Sequence, residues 1–155
     1  FNRSTQDGSW DTYLETFAQS SGAVVLEMPE SIFLQSVRNL GERFSELQEA
    51  GVQLALDDFG TGYSSLAYLK RYSVDFLKID PSFVHSDKME SGGQTIAESI
   101  IAMAHKLGIQ VIAKGVETEE EKEWLTDAGC DFAQGHYFFP PLPAHRLGEL
   151  IADSR

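Results

Sequence analysis

The stretch VQLALDDFGTGYSSLAYLKRYSVDFLKID, Val52 to Asp80, contains the unit from which the fold can be read. "VQLALDD" is a short, nearly unbroken apolar run that stops at two aspartates. "VDFLKID" repeats the pattern and ends with Lys78 and Asp80. Between them, "SSLAYLKR" has the character of a short helix. Apolar strands that alternate with helices indicate a parallel sheet covered on both faces, because polar/apolar alternation disappears where neither face meets water. Gly60 and Gly62 permit a tight turn after the first strand, and the hydroxyls of Ser64 and Ser65 can cap the helix.

The same alternation continues outward. Upstream, "AVVLEM" is a strand. It is followed by "SIFLQSVRNLGERFSELQEAG", where Ile32, Phe33, Val37, Leu40, Phe44 and Leu47 recur at helical spacing and Gly51 closes the helix. Downstream, "QTIAESIIAMAHKLG" predicts a helix with Ile96, Ile100, Ile101, Ala104 and Leu107 inward, ending at Gly108. The strand "IQVIAK" follows, then a helix from Thr118 to Ala128 opened by a capping box of Thr118 and Glu121. "CDFAQG" and a closing helix near "PAHRLGELIAD" complete the series. Before Gly22, "FNRS" reads as a strand end and "WDTYLETFAQSS" as its helix. The total is about six βα units.

The polar residues separate two architectures. Asn2, Glu27, Asp57 with Asp58, Lys78 with Asp80, Lys114 and Gln134 each fall at the C-terminal end of a different strand. A barrel gathers those ends at one mouth, whereas a doubly wound sheet concentrates its site at one switch point. The expected fold is therefore a TIM-type (β/α)8 barrel. A full barrel takes eight units and typically about 250 residues, so about the first two βα units are absent. The chain opens on Phe1 and not on methionine, and is expected to be part of something longer.

Net charge is −12, which disfavours nucleic-acid polymers as partners. An anionic ligand would need a local positive device, such as a metal, a helix N-terminus or a placed lysine. Cys130 is the only cysteine, so no internal disulfide forms and a reducing cytoplasm is expected. No apolar run approaches the ~20 residues that span a bilayer, so membrane insertion is not expected.

Glu27, Asp57 and Asp58, with Asn2 as an amide oxygen, are donors suited to hard cations such as Mg²⁺, Mn²⁺ or Ca²⁺. Adjacent Asp57 and Asp58 point differently at a strand end, so each could hold one of two ions, an arrangement used for in-line attack on phosphodiesters. Lys78 could neutralise a phosphate oxygen or orient the attacking water. Glu30 is placed either to hold the "DFGTGYSS" loop or to favour a helix N-terminus. The four histidines show no metal-ligand spacing.

The motifs "LEMPES", "LALDDFGTGYSSLAYLKRYSVDFLKIDPSFV", "VIAKGVET" and "GCDFAQGHYFFPPLP" closely resemble the EAL-domain family of cyclic di-GMP phosphodiesterases. The resemblance covers residues 1–155, essentially from Asn2, as the C-terminal three quarters of such a barrel. It implies two Mg²⁺ or Mn²⁺ ions and hydrolysis of cyclic di-GMP to linear pGpG. It also implies that Asn2, Glu27 and Asp57 hold the first metal and Asp58 the second. By the same resemblance Lys78 positions the water, Gln134 is the glutamine of the last strand, and Glu30 steadies the loop. Upstream sensory or GGDEF domains are possible companions.

The sequence departs from the family in four places. The strand bearing the namesake Glu-Ala-Leu and its metal ligand is missing. Lys114 stands where the family has the glutamate of "AEGVE". Pro29 replaces a threonine, and Pro81 and Pro140 fall where arginine is frequent. Glutamate to lysine changes the charge by two units beside a divalent ion. One unit-charge pair at ~4 Å and an effective dielectric of ~20 is worth ~4 kcal/mol. These departures favour a degenerate domain that binds cyclic di-GMP without efficient hydrolysis. The alternatives are an active metal-dependent phosphodiesterase and a catalytically dead interaction or dimerisation module. Open edges left by the missing units point to a homo-oligomer.

Overall fold

The computed structural model describes residues 24–30, 40–61, 66–85 and 92–153. Five strands appear among them: β1 Val24–Pro29, β2 Val52–Phe59, β3 Phe76–Ile79, β4 Gln110–Lys114 and β5 Phe132–Gln134. The helices are α1 Leu40–Glu49, α2 Leu66–Arg71, α3 Gly93–Lys106, α4 Glu119–Asp127 and α5 Ala144–Asp153. The strand expected to end near Asn2 lies outside the described residues, as do Ser64, Ser65 and the first part of the helix expected from Ser31. No helix among the described residues is long and apolar enough to cross a membrane.

All four strand pairings are parallel, and the order is β1-β2-β3-β4-β5. A doubly wound sheet reverses its strand order at a switch point, and this one never does. The sheet is therefore part of a TIM-like barrel wall.

Strand side chains alternate between faces, so the register sorts them. Leu54, Leu56, Leu77, Ile79, Val111 and Ala113 share one face and are buried under the helices. Glu27, Asp57, Lys78, Lys114 and Gln134 share the opposite face with Phe76, Ile112 and Phe132. The sheet was expected to be buried on both faces. Among the described residues the helix face is buried along β2, β3 and β4, while the inner face is exposed along β1 and β5. The reason is geometric: helices cover the outside of a barrel wall, but only strands from the far side can cover its inside.

α3 shifts its inward stripe from the expected one. Gly93, Ala97, Ile100, Ile101 and Ala104 are buried, whereas Ile96 and Leu107 are 45% and 42% exposed. At 100° per residue those two lie to one side of the stripe centred on Ala97, Ile101 and Ala104. Gly51 and Gly108 adopt φ of 85° and 76° immediately after α1 and α3, the left-handed conformation expected of closing glycines.

A repeated device sets the floor of the sheet. Asp75 precedes β3 and accepts a hydrogen bond from Leu54 N at 2.8 Å. Asp131 precedes β5 and accepts one from Val111 N, also at 2.8 Å. In "VDF" and "CDF" alike, the aspartate satisfies an N–H of the preceding strand, and the next residues, Phe76 and Phe132, meet edge to face at 6.0 Å. Cys130 lies against the core with its thiol pointed at the carbonyls of Phe132 and Val111, and burial pushes that thiol up. It serves as a small side chain packed against the core.

Candidate functional site

β2 delivers two adjacent carboxylates to the same place through a backbone irregularity. In a regular strand Asp57 and Asp58 would point to opposite faces. Here the register slips between Leu56 and Phe59, so that Phe59 pairs with Ile79 and one extra residue bulges out. Asp58 takes that position with φ 55°, a left-handed conformation that aspartate tolerates better than most residues. The bulge turns both aspartates toward the inner face.

The expectation that these two would point apart, one to each of two ions, is therefore not met. Their Oδ1 atoms converge on a single group: Lys114 Nζ donates to Asp57 at 2.7 Å and to Asp58 at 2.8 Å. Lys114 sits on β4 and reaches past β3 to do so. Lys78 makes the matching contact one step earlier. From β3 its Nζ donates to Glu27 Oε1 on β1 at 2.7 Å, again skipping a strand. Pairing between alternate strands is how a barrel interior is layered, so these two ion pairs record the curvature of the wall.

The five acid and base positions differ in burial. The Lys78 side chain is 5% exposed and Glu27 is 51% exposed. Asp57 and Lys114 are about equally sheltered, at 23% and 21%, and Asp58 is 48% exposed. Burial pushes the Asp57 carboxyl up, but the hydrogen bond from Lys114 and the nearby positive charges outweigh it, leaving the group below the usual carboxylate range. Burial likewise pushes Lys114 down. Its bonds to Asp57 and Asp58 reverse that and hold the ammonium above its ordinary value.

The remaining expected site residues are distributed as follows. Asn2 lies outside the described residues. Gln134 stands beside Lys114 in register with its side chain exposed, and its main-chain carbonyl accepts from Val116 N at 3.1 Å. Glu30 follows β1, and both its carboxylate oxygens are buried without a hydrogen-bond partner among the described residues. The loop it was expected to hold is only partly described. Asp80 is structural: it caps the short 3-10 turn Pro81–Phe83 by accepting from Ser82 N at 2.8 Å. The histidines do not converge. His85 meets Glu121, His105 meets Asp131, and His136 and His145 make no such pairing among the described residues.

Sequence reasoning understated Glu121. The capping box with Thr118 is present, and the same carboxylate also accepts from Glu117 N at 2.7 Å and is only 2% exposed. Glu121 therefore braces the segment between Lys114 and α4. The pattern Thr118-x-x-Glu121 signalled the cap but not the burial. Gly135 was also missed as a structural requirement. A Cβ there would collide with the backbone N, C and O of Val116, so β5 can close on that segment only with glycine.

These residues do not fit a two-ion centre. The lysines already bond one oxygen of each of Glu27, Asp57 and Asp58, carboxylates that a divalent ion would need for itself. Among the described residues, no group of three or more histidine, cysteine, aspartate or glutamate side chains is placed to hold a metal. Among the described residues, Glu27, Asp57 and Asp58 on the inner face each have an ammonium partner.

Comparison with known proteins agrees with the motifs. The EAL domain profile matches residues 4–141. Cyclic di-GMP phosphodiesterase NbdA of Pseudomonas aeruginosa is 42% identical over 81% of the chain, which spans 16% of that protein. Signaling protein YkoW of Bacillus subtilis is 39% identical over 83% of the chain, again spanning 16% of the relative. The EAL domain of Mycobacterium smegmatis DcpA superposes with a TM-score of 0.86 at 38% identity, covering 96% of this chain and 68% of that one. Klebsiella pneumoniae BlrP1, solved as a manganese/cyclic di-GMP complex, superposes with a TM-score of 0.73 at 30% identity, covering 84% of this chain and 34% of that one.

Proposed function

The chain belongs to the EAL-domain family of cyclic di-GMP phosphodiesterases, and from that premise we propose that it binds cyclic di-GMP without hydrolysing it efficiently. The observation that carries this reading is the Lys114 ammonium seated on both Asp57 and Asp58. Attack on a phosphodiester needs an activated water. An ammonium offsets part of the charge of two carboxylates but neither polarises a water nor removes its proton. Ligand-binding features remain: Lys78 is held rigidly by burial and by Glu27, and the strand ends still face one mouth.

In this reading residues 1–155 are the C-terminal three quarters of one EAL domain, acting in the cytoplasm. Lys78 contacts a phosphate oxygen, Gln134 borders the mouth, and Asn2 and Glu27 complete the polar rim. Glu30 steadies the loop after β2. Isothermal titration with cyclic di-GMP tests the proposal, together with chromatographic detection of pGpG. Stoichiometric binding with negligible product is expected. Robust metal-dependent turnover by the unmodified chain overturns it, as does the absence of binding.

We infer in addition that the chain associates with itself. Among the described residues β5 pairs on one side only, Phe132 within it is 48% exposed, and Phe139 and Leu147 later in the chain are 56% and 50% exposed. An open strand edge beside apolar surface is a ready pairing site. Light scattering at micromolar concentration should give a dimer or larger species. A monomer with one cooperative unfolding transition would show the edge to be sealed within the chain.

A further inference from the structure

Each carboxylate that the family resemblance assigns to an ion, and that the structure describes, already has a cation on it. A solvated surface lysine would not produce this. Lys114 is only 21% exposed, crosses a neighbouring strand, and meets two carboxylates brought together by a bulge and a left-handed aspartate. The backbone at Asp57–Asp58 is shaped to bring two oxygens to one point, and a lysine fills that point.

We propose that Lys114 is a built-in cation standing in for a divalent ion, so that this site takes a phosphodiester anion without metal. An ammonium has three N–H donors. Lys114 uses two on Asp57 and Asp58 and has one left, and Lys78 uses one on Glu27 and has two left. These remaining donors are what the site offers an anion, and the two ammoniums offset most of the negative charge of Glu27, Asp57 and Asp58 in a chain of net charge −12. The identity of that ligand rests on the functional reading above. The replacement of the ion does not.

The decisive measurement uses manganese alone. Mn²⁺ is titrated calorimetrically into the metal-free chain without nucleotide, for the wild type, Lys114→Glu and Lys114→Met. The wild type should show no saturable binding at this site. Lys114→Glu should bind at least about a hundredfold more tightly, because a repulsion becomes an attraction beside the ion. Lys114→Met frees both aspartates without adding a ligand and should gain at least about tenfold. Melting each variant with and without Mn²⁺ covers the case in which one is unstable alone, since rescue by Mn²⁺ also supports the proposal. Wild-type binding as tight as that of Lys114→Glu overturns it, and so does a lack of Mn²⁺ response in both variants. In a second arm, cyclic di-GMP should bind equally in EDTA and in Mn²⁺. A requirement for Mn²⁺ refutes metal independence. No nucleotide binding in either condition defeats the functional reading and the phosphodiester half of this proposal, while the manganese titration still decides the role of Lys114.

Discussion

Gly135→Ala should disrupt the joint between β4 and β5 and produce the largest loss of stability of any single methyl addition to the described chain. The three atoms its Cβ would meet first are all backbone atoms of Val116, which cannot rotate aside as a side chain can. Val116 is also held from both directions. Its N–H donates to the Gln134 carbonyl at 3.1 Å, its carbonyl accepts from Tyr137 N at 3.0 Å, and its side chain is fully buried. Relief therefore requires breaking hydrogen bonds or moving the whole segment after Lys114. Overpacking typically costs about 1–3 kcal/mol and more where the neighbour cannot yield, so a loss of about 3 kcal/mol is expected. In a chain of this length that lowers the melting temperature by about 6–12 °C. Gly148→Ala is the matched control. It lies within α5 with open space around its Cβ position, and should be neutral or stabilising by up to about 1 kcal/mol. Equal melting temperatures for Gly135→Ala and wild type would refute the steric account.

Lys114→Met should destabilise the protein at neutral pH and make its stability rise on mild acidification, a range over which the wild-type ion pair contributes evenly. In the wild type the lowered Asp57 carboxyl contributes stability that is complete above its unfolded pKa of about 3.9. That contribution is lost as pH falls through the folded value. The raised Lys114 contributes stability that is complete below about 10.4 and is lost as pH rises through its folded value. The ion pair thus adds a level contribution between those limits. Without the ammonium, two carboxylates face each other and a proton shared between them becomes favourable. With Asp58 nearly half exposed, solvent screening keeps the expected loss at pH 7 to about 1–2 kcal/mol. That deficit should shrink on acidification as the two carboxylates come to share a proton. Urea denaturation of both proteins at pH 7 and pH 5 measures it. An equal deficit at the two values would mean that Lys114 acts through packing and not through charge.

The sequence and structure agree most closely where the physics is local. Thr118 with Glu121 marked a helix start, and the capping box is formed. Gly51 and Gly108 marked helix ends and adopt the left-handed conformation that ends require. The apolar runs around Leu54, Leu77 and Val111 marked strands, because only a sheet facing helices buries such runs. The α3 face was misjudged at Ile96 and Leu107, where an apolar residue at the flank of a stripe is indistinguishable by spacing from one at its centre.

The order of elements, their parallel character, the family and the strand-end positions of Glu27, Asp57, Lys78, Lys114 and Gln134 were all determined by the sequence alone. They follow from periodicity and from motifs written in consecutive residues. The direction of each charged side chain was not legible there. Whether Asp57 and Asp58 diverge or converge depends on a one-residue slip of β2 against β3, which exists only once the strands pair. The partners of Lys78 and Lys114 lie 51 and 56 to 57 residues away, on strands that are not their neighbours. Contacts of that separation arise from the curvature of the wall, a property of the assembled sheet and of no single segment. The tertiary structure thus decided that the lysine at the end of β4 occupies the point where the two aspartates meet.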